Sequence, residues 1–173
     1  MIDYPQKEEF NPYYDRYISL LKGQDVLVQL ELQIDQMKQL LTSVSEKDWT
    51  YRYAPDKWTL KEVIGHIIDN ERIMAYRMMC IAYGEQKSLP GYDQDDYMSQ
   101  DPYAHCTPQE LLEEYITVRR ATLALLKRLP ARFLARIGNA NQSDTSARAL
   151  AYIIAGHELH HMRIIQERYL QPN

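Results

Sequence analysis

The chain has 173 residues, 45% hydrophobic and 25% charged, with 24 acidic against 20 basic side chains and a net charge of −4. Such a composition is that of an ordinary globular domain and lacks the basic footprint of a nucleic-acid-binding protein. No apolar run approaches the roughly 20 residues needed to span a bilayer, and the first residues show neither the basic nor the apolar region of a signal peptide.

Residues 1–20 hold Tyr4, Phe10, Tyr13, Tyr14 and Tyr17 and read as an aromatic arm packed on one domain covering 1–173. Tyrosine is favoured generally, 14 against 2 phenylalanines, which suits half-wet clefts and interfaces. A first helix is predicted from about Asp25 to Leu41, where Leu27, Leu30, Ile34, Met37 and Leu41 recur at spacings of three and four. A second helix starts at the capping box Thr59-Leu60-Lys61-Glu62 and stops near Tyr83, before Gly84.

About two dozen residues follow, with Pro90, Gly91, Asp93, Asp95, Asp96 and Pro102. This is long for a bundle connection and frees the next helix from running antiparallel to the second. The third helix begins at Thr107-Pro108-Gln109-Glu110 and ends near Leu129-Pro130. An irregular stretch to Asp144 has room for a helical turn near Arg132 to Ala135. The fourth helix runs from Thr145 or Ser146 to about Leu170, stopped by Pro172. No segment alternates with period two, so strands are not expected. The expected fold is all-α, a four-helix bundle with a long crossover between helices two and three.

Three of the five histidines fall in His157-Glu158-Leu159-His160-His161. His157 and His161 lie one turn apart within the main apolar stripe of Leu150, Ile153, Ile154 and Ile164, where both imidazoles can face one divalent ion. His160 sits at the stripe's edge. The same residues spell H-E-x-x-H, which in a zinc peptidase would make Glu158 the general base. The extended form of that motif needs glycine at 164 and histidine at 167, where this chain has Ile164 and Glu167. Only twelve residues remain after His161 to supply another ligand. Peptidase activity is therefore not expected, and Glu158 reads as a capping or ligand-supporting group. A third ligand must come from elsewhere. His66 shares a helical line with Thr59, Glu62, Asn70 and Arg77, which periodicity turns to solvent or to the wall of a cleft. His105, in the loop before Thr107, is the other candidate.

Trp58-Thr59-Leu60-Lys61-Glu62-Val63-Ile64-Gly65-His66-Ile67-Ile68-Asp69-Asn70-Glu71-Arg72 and Ala149-Leu150-Ala151-Tyr152-Ile153-Ile154-Ala155-Gly156-His157-Glu158-Leu159-His160-His161 together resemble the DinB-like (YfiT-type) superfamily. Leu89-Pro90-Gly91-Tyr92-Asp93 falls in the expected order between them. The resemblance implies a four-helix bundle with one divalent metal ion, zinc or nickel, on His66, His157 and His161. It overrides the solvent-facing reading of His66. It further implies a metal-dependent transferase that uses a low-molecular-weight thiol as cosubstrate on a small electrophilic substrate. A hydrolase of small amides or esters and a non-enzymatic metal-binding protein are the alternatives. Glu62, Asp69, Asn70, Arg77 and Glu158 are the candidate supporting residues.

Cys80 and Cys106 form no CxxC motif and read as reduced thiols of a cytoplasmic protein. Tyr152, Ala155, Leu159 and Met162 form a second apolar stripe opposite the histidines. It is expected to face outward and to pair two copies as a homodimer, unless the aromatic arm folds over it within one chain.

Overall fold

The structure, a computed structural model, describes residues 1–170. Four long helices carry it: α1 (Val26–Ser43), α2 (Leu60–Tyr83), α3 (Pro108–Arg128) and α4 (Ala147–Ile164). Their starts follow local side-chain chemistry. Asp25 accepts from the Leu27 N–H at 2.9 Å, Ser146 accepts from the Ala149 N–H at 3.0 Å, and Thr59–Glu62 and Thr107–Glu110 each form a reciprocal capping box. Gly84, at φ 90°, ends α2 in the left-handed region that favours glycine. None of these helices is long and apolar enough to cross a membrane.

α2 packs along α4 and α3, while α1 lies against α3 and α4. One part of the core gathers Leu30, Met78, Leu126, Leu150 and Ile154; another gathers Met37, Ile64, Ile68, Leu111 and Tyr115. α4 ends earlier than expected as an α-helix and continues as a π-helical turn over Ile165–Tyr169. The expected stop at Pro172 lies outside the described residues.

Two features correct the sequence reading. The stretch after Pro130 holds the short helix Ala131–Leu134 and also a hairpin of two strands, β1 (Ile137–Ala140) and β2 (Ser143–Ser146). Ile137 pairs with Ser146 and Ala140 with Ser143, so a small hairpin, where no strand was expected, accompanies the expected four-helix bundle. The turn places Asn141 and Gln142 at φ 51° and 60°, the paired left-handed geometry of a tight hairpin. Gln142 is a poor advertisement for that turn, and four-residue strands show too little alternation to detect. The hairpin is held from outside itself: the Leu89 N–H donates to the Asn139 carbonyl and the Asn141 N–H to that of Leu89, each at 2.9 Å. The long crossover, with its own short helix Gln94–Met98, is thereby fastened to the hairpin and lies against α2.

The second correction concerns the far stripe of α4. Tyr152 and Met162 do not face outward; they are 1% and 8% exposed. The Tyr152 hydroxyl donates to the Ile2 carbonyl at 3.0 Å, and the Tyr4 ring meets its ring edge-on. Arg148 forms an ion pair with Glu9. The arm thus covers the Tyr152 end of this face within one chain, while Met162 packs with Met37 and Leu40 of α1. Gly156 permits the close approach, since a Cβ there would stand 2.2 Å from the Tyr17 carbonyl oxygen.

Candidate metal centre

α2 and α4 present their imidazoles to each other. His66 Nε2 lies 3.0 Å from His157 Nε2, which lies 3.1 Å from His161 Nε2. Ligand atoms of the three residues all fall within 4.8 Å of one another. Two nitrogens each about 2.0–2.1 Å from a tetrahedral ion would stand roughly 3.3 Å apart, so the set fits one divalent ion. Burial favours the neutral, ligating form of every ring. It pushes His66 down to about 4 and His161 to about 3, and drives His157 well below its ordinary value of 6.5, helped by His161, His66 and His160. Three neutral imidazoles aimed at one point cannot all satisfy each other, because one nitrogen of each neutral ring has no proton to give. A cation resolves that conflict.

The rings are fixed by aromatic packing. Tyr17 of the arm stands edge-on to His157 and His160, with centroids 5.4 Å away in both cases. Trp58 lies 4.9 Å from His66. His160 is half-buried beside Tyr17, and His105 is exposed in its loop.

Periodicity alone misplaces His66. The whole polar line of Thr59, Glu62, His66, Asn70 and Arg77 is at most 6% exposed, because the crossover, the arm and α4 close over it. Each member has a separate task. Glu62 closes the capping box and pairs with Arg52 at 3.3 Å. Asn70 donates to the Tyr92 hydroxyl at 2.9 Å, and Arg77 donates to the Pro90 carbonyl at 2.6 Å. Asp69 accepts from the Tyr103 hydroxyl of the crossover and pairs with Arg72, away from the histidines.

Glu158 neither lines the histidine cavity nor caps a polar face. It is fully buried, its oxygens taken by the Tyr115 hydroxyl at 2.8 Å and by Arg119. Burial raises its carboxyl pKa, the nearby Glu71 raises it further, and Arg119 opposes both. Arg119 also chelates Glu71 and donates to the Leu30 carbonyl and the Gln33 side chain, both at 3.0 Å. This network joins all four helices. Its arginine went unrecognised in the sequence because nothing local marks a charge that four helices will enclose.

A cavity of about 520 Å³ opens on His157. Tyr14, Tyr17, Asn70, Met74, Arg77 and Tyr92 form its inner wall, and the crossover and hairpin its mouth. Tyr14 and Tyr92 had no sequence signal beyond the tyrosine-rich arm and the Leu89–Asp93 segment.

The family described as the DinB superfamily matches residues 29–165. Among solved structures, YfiT from Bacillus subtilis, described as a probable metal-dependent hydrolase with an unusual four-helix bundle topology, is similar with a TM-score of 0.70 and 18% identity. The alignment covers 96% of this chain and 91% of that one. The mycothiol-dependent maleylpyruvate isomerase is similar with a TM-score of 0.64 and 11% identity, over 84% of this chain and 59% of the isomerase. No curated protein matches in sequence.

Proposed function

The chain belongs to the DinB superfamily, and from that premise we propose that it is a metal-dependent enzyme, a thiol S-transferase acting on small electrophiles. The observation that carries this reading is the convergence of His66, His157 and His161 beside a cavity large enough for a small molecule. These three residues would hold one divalent ion, zinc or nickel, and three protein ligands would leave room for a substrate or water. When bound, the ion supplies a Lewis acid that lowers the pKa of a thiol or a water.

The protein's own groups do the rest. Burial keeps the imidazoles neutral, Tyr17 and Trp58 fix the planes of His157 and His66, and the cavity walls would hold the electrophile beside His157. The fold-level likeness to a mycothiol-dependent isomerase supports a thiol as cosubstrate. A second reading, hydrolysis of a small amide or ester, is favoured by the likeness to a probable metal-dependent hydrolase. Incubating metallated protein with an electrophile, with and without small thiols, decides between them. Thiol-dependent consumption supports the transferase, thiol-independent consumption the hydrolase, and no consumption a non-enzymatic metal-binding protein.

The free thiols Cys80 and Cys106 fit a cytoplasmic setting. Pairing into a homodimer is supported by an open groove between α1 and α4 that Leu40, Leu159, Met162 and Leu170 line. Val28 and Leu32, one turn apart on α1, each remain 52% exposed.

A further inference from the structure

The wall of the cavity holds a cation that the protein itself does not neutralise. Arg77 is 3% exposed, yet among the described residues its guanidinium donates only to the Pro90 carbonyl and, at 3.7 Å, to the Met74 sulfur, and it pairs with no carboxylate. A buried guanidinium without a counter-charge is costly, and its planar fork is shaped for a carboxylate or phosphate. Arg119, the other fully buried arginine, shows what this chain does when it neutralises such a group: it supplies two glutamates.

Two neighbours point the same way. Asn70 is 6% exposed, and its Oδ1 is buried without a hydrogen-bond partner. Such an orphaned acceptor in a cavity wall calls for a donor from a ligand or water. The Tyr92 hydroxyl accepts from Asn70, so its own proton is free to donate, and burial keeps that phenol protonated. Asp93 and Asp95 line the cavity as well, but both are exposed, and Asp93 is engaged by the Asp95 and Asp96 N–H groups at the start of the short crossover helix.

We propose that Arg77, Tyr92 and Asn70 form an anion subsite for a carboxylate-bearing small molecule, with Arg77 and Tyr92 donating to the carboxylate and Asn70 Oδ1 accepting from an adjacent N–H or O–H. The proposal rests on the reading of this cavity as the substrate site and adds the substrate's chemical class. Arg77 stands eleven residues beyond His66 on α2, about 16 Å along the axis. Asn70, only four residues beyond His66, and Tyr92, hydrogen-bonded to it, set the near end of the subsite, so the subsite lies along the same helix face as the histidines and positions the substrate.

The test uses purified full-length protein, with whatever metal it carries, and two probes matched in shape: 3-phenylpropionate and uncharged 3-phenylpropanol. Dissociation constants come from calorimetry on wild type and Arg77→Met, with metal content measured on the same samples. The acid should bind wild type at least tenfold more tightly than the alcohol, and Arg77→Met should erase the difference while metal content stays unchanged. Equal affinities in wild type would overturn the proposal. So would an acid preference that survives in Arg77→Met, since another cation, including a bound metal, would then hold the carboxylate. Should Arg77→Met fail to fold, Asn70→Asp carries the test, because a negative charge in the subsite should abolish the preference. Metal bound without acid preference removes the subsite and leaves the metal centre standing; acid preference without metal does the reverse.

Discussion

Arg119 of α3 and Glu158 of α4 form a fully buried ion pair, at 0% and 1% side-chain exposure, one residue away from His157. The glutamate of the H-E-x-x-H sequence is thereby committed to holding the helices together. Removing one partner of such a pair leaves an uncompensated charge in the core, which costs roughly 3–5 kcal/mol. Arg119→Met should lose about that much in urea unfolding, since Glu71 and Glu158 would then face each other. A loss under about 1 kcal/mol would mean that water reaches the network.

Metal content separates ligands from neighbours. Purified wild type should carry about one divalent ion per chain. His157→Ala should abolish tight binding, while His160→Ala, which removes a ring packed on Tyr17 and outside the converging set, should keep most of it. Elemental analysis of dialysed protein gives the answer, and full occupancy in His157→Ala would refute the assignment.

The stability of metal-free protein should fall as the pH drops from about 6.5 towards 4. His66 and His161 titrate near 4 and 3 in the folded chain, against an ordinary 6.5 when unfolded. Between those values the unfolded state binds protons that the folded state does not, so acid favours unfolding. The raised Glu158 carboxyl acts with the opposite sign, but it is present in every variant. Urea midpoints between pH 7 and 5 should therefore slope less in a His66→Asn, His161→Asn double variant than in wild type. Identical slopes would show that these imidazoles are not what the acid acts on.

Light scattering at micromolar concentration should report a dimer for wild type and a smaller species for Leu159→Lys. Leu159 is half-buried in the groove between α1 and α4, where a lysine ammonium would meet a partner's apolar side chains. A monomeric wild type would remove the homodimer; a dimer indifferent to Leu159→Lys would move its interface elsewhere.

Features that depend on neighbours along the chain are legible in the order of residues. The helix starts at Thr59 and Thr107 follow from side chains three residues apart, and Gly84 ends α2 because of its own backbone freedom. The convergence of His157 and His161 on one face follows from helical spacing alone. Other features depend on segments far apart in the chain and emerge only on folding. Periodicity left His66 and Arg77 between solvent and the wall of a cleft, because it cannot know that the crossover and the arm will close over a polar line. Tyr152 looked like a partner surface until Ile2 and Tyr4 were found on it. The hairpin after Pro130 takes its support from Leu89, some fifty residues earlier. Arg119 became a buried charge only because Glu71, Glu158 and Gln33 arrive from three other helices. Local hydrogen bonds and spacing are written in the order of residues, whereas burial and charge compensation are set by whatever the folded chain brings alongside.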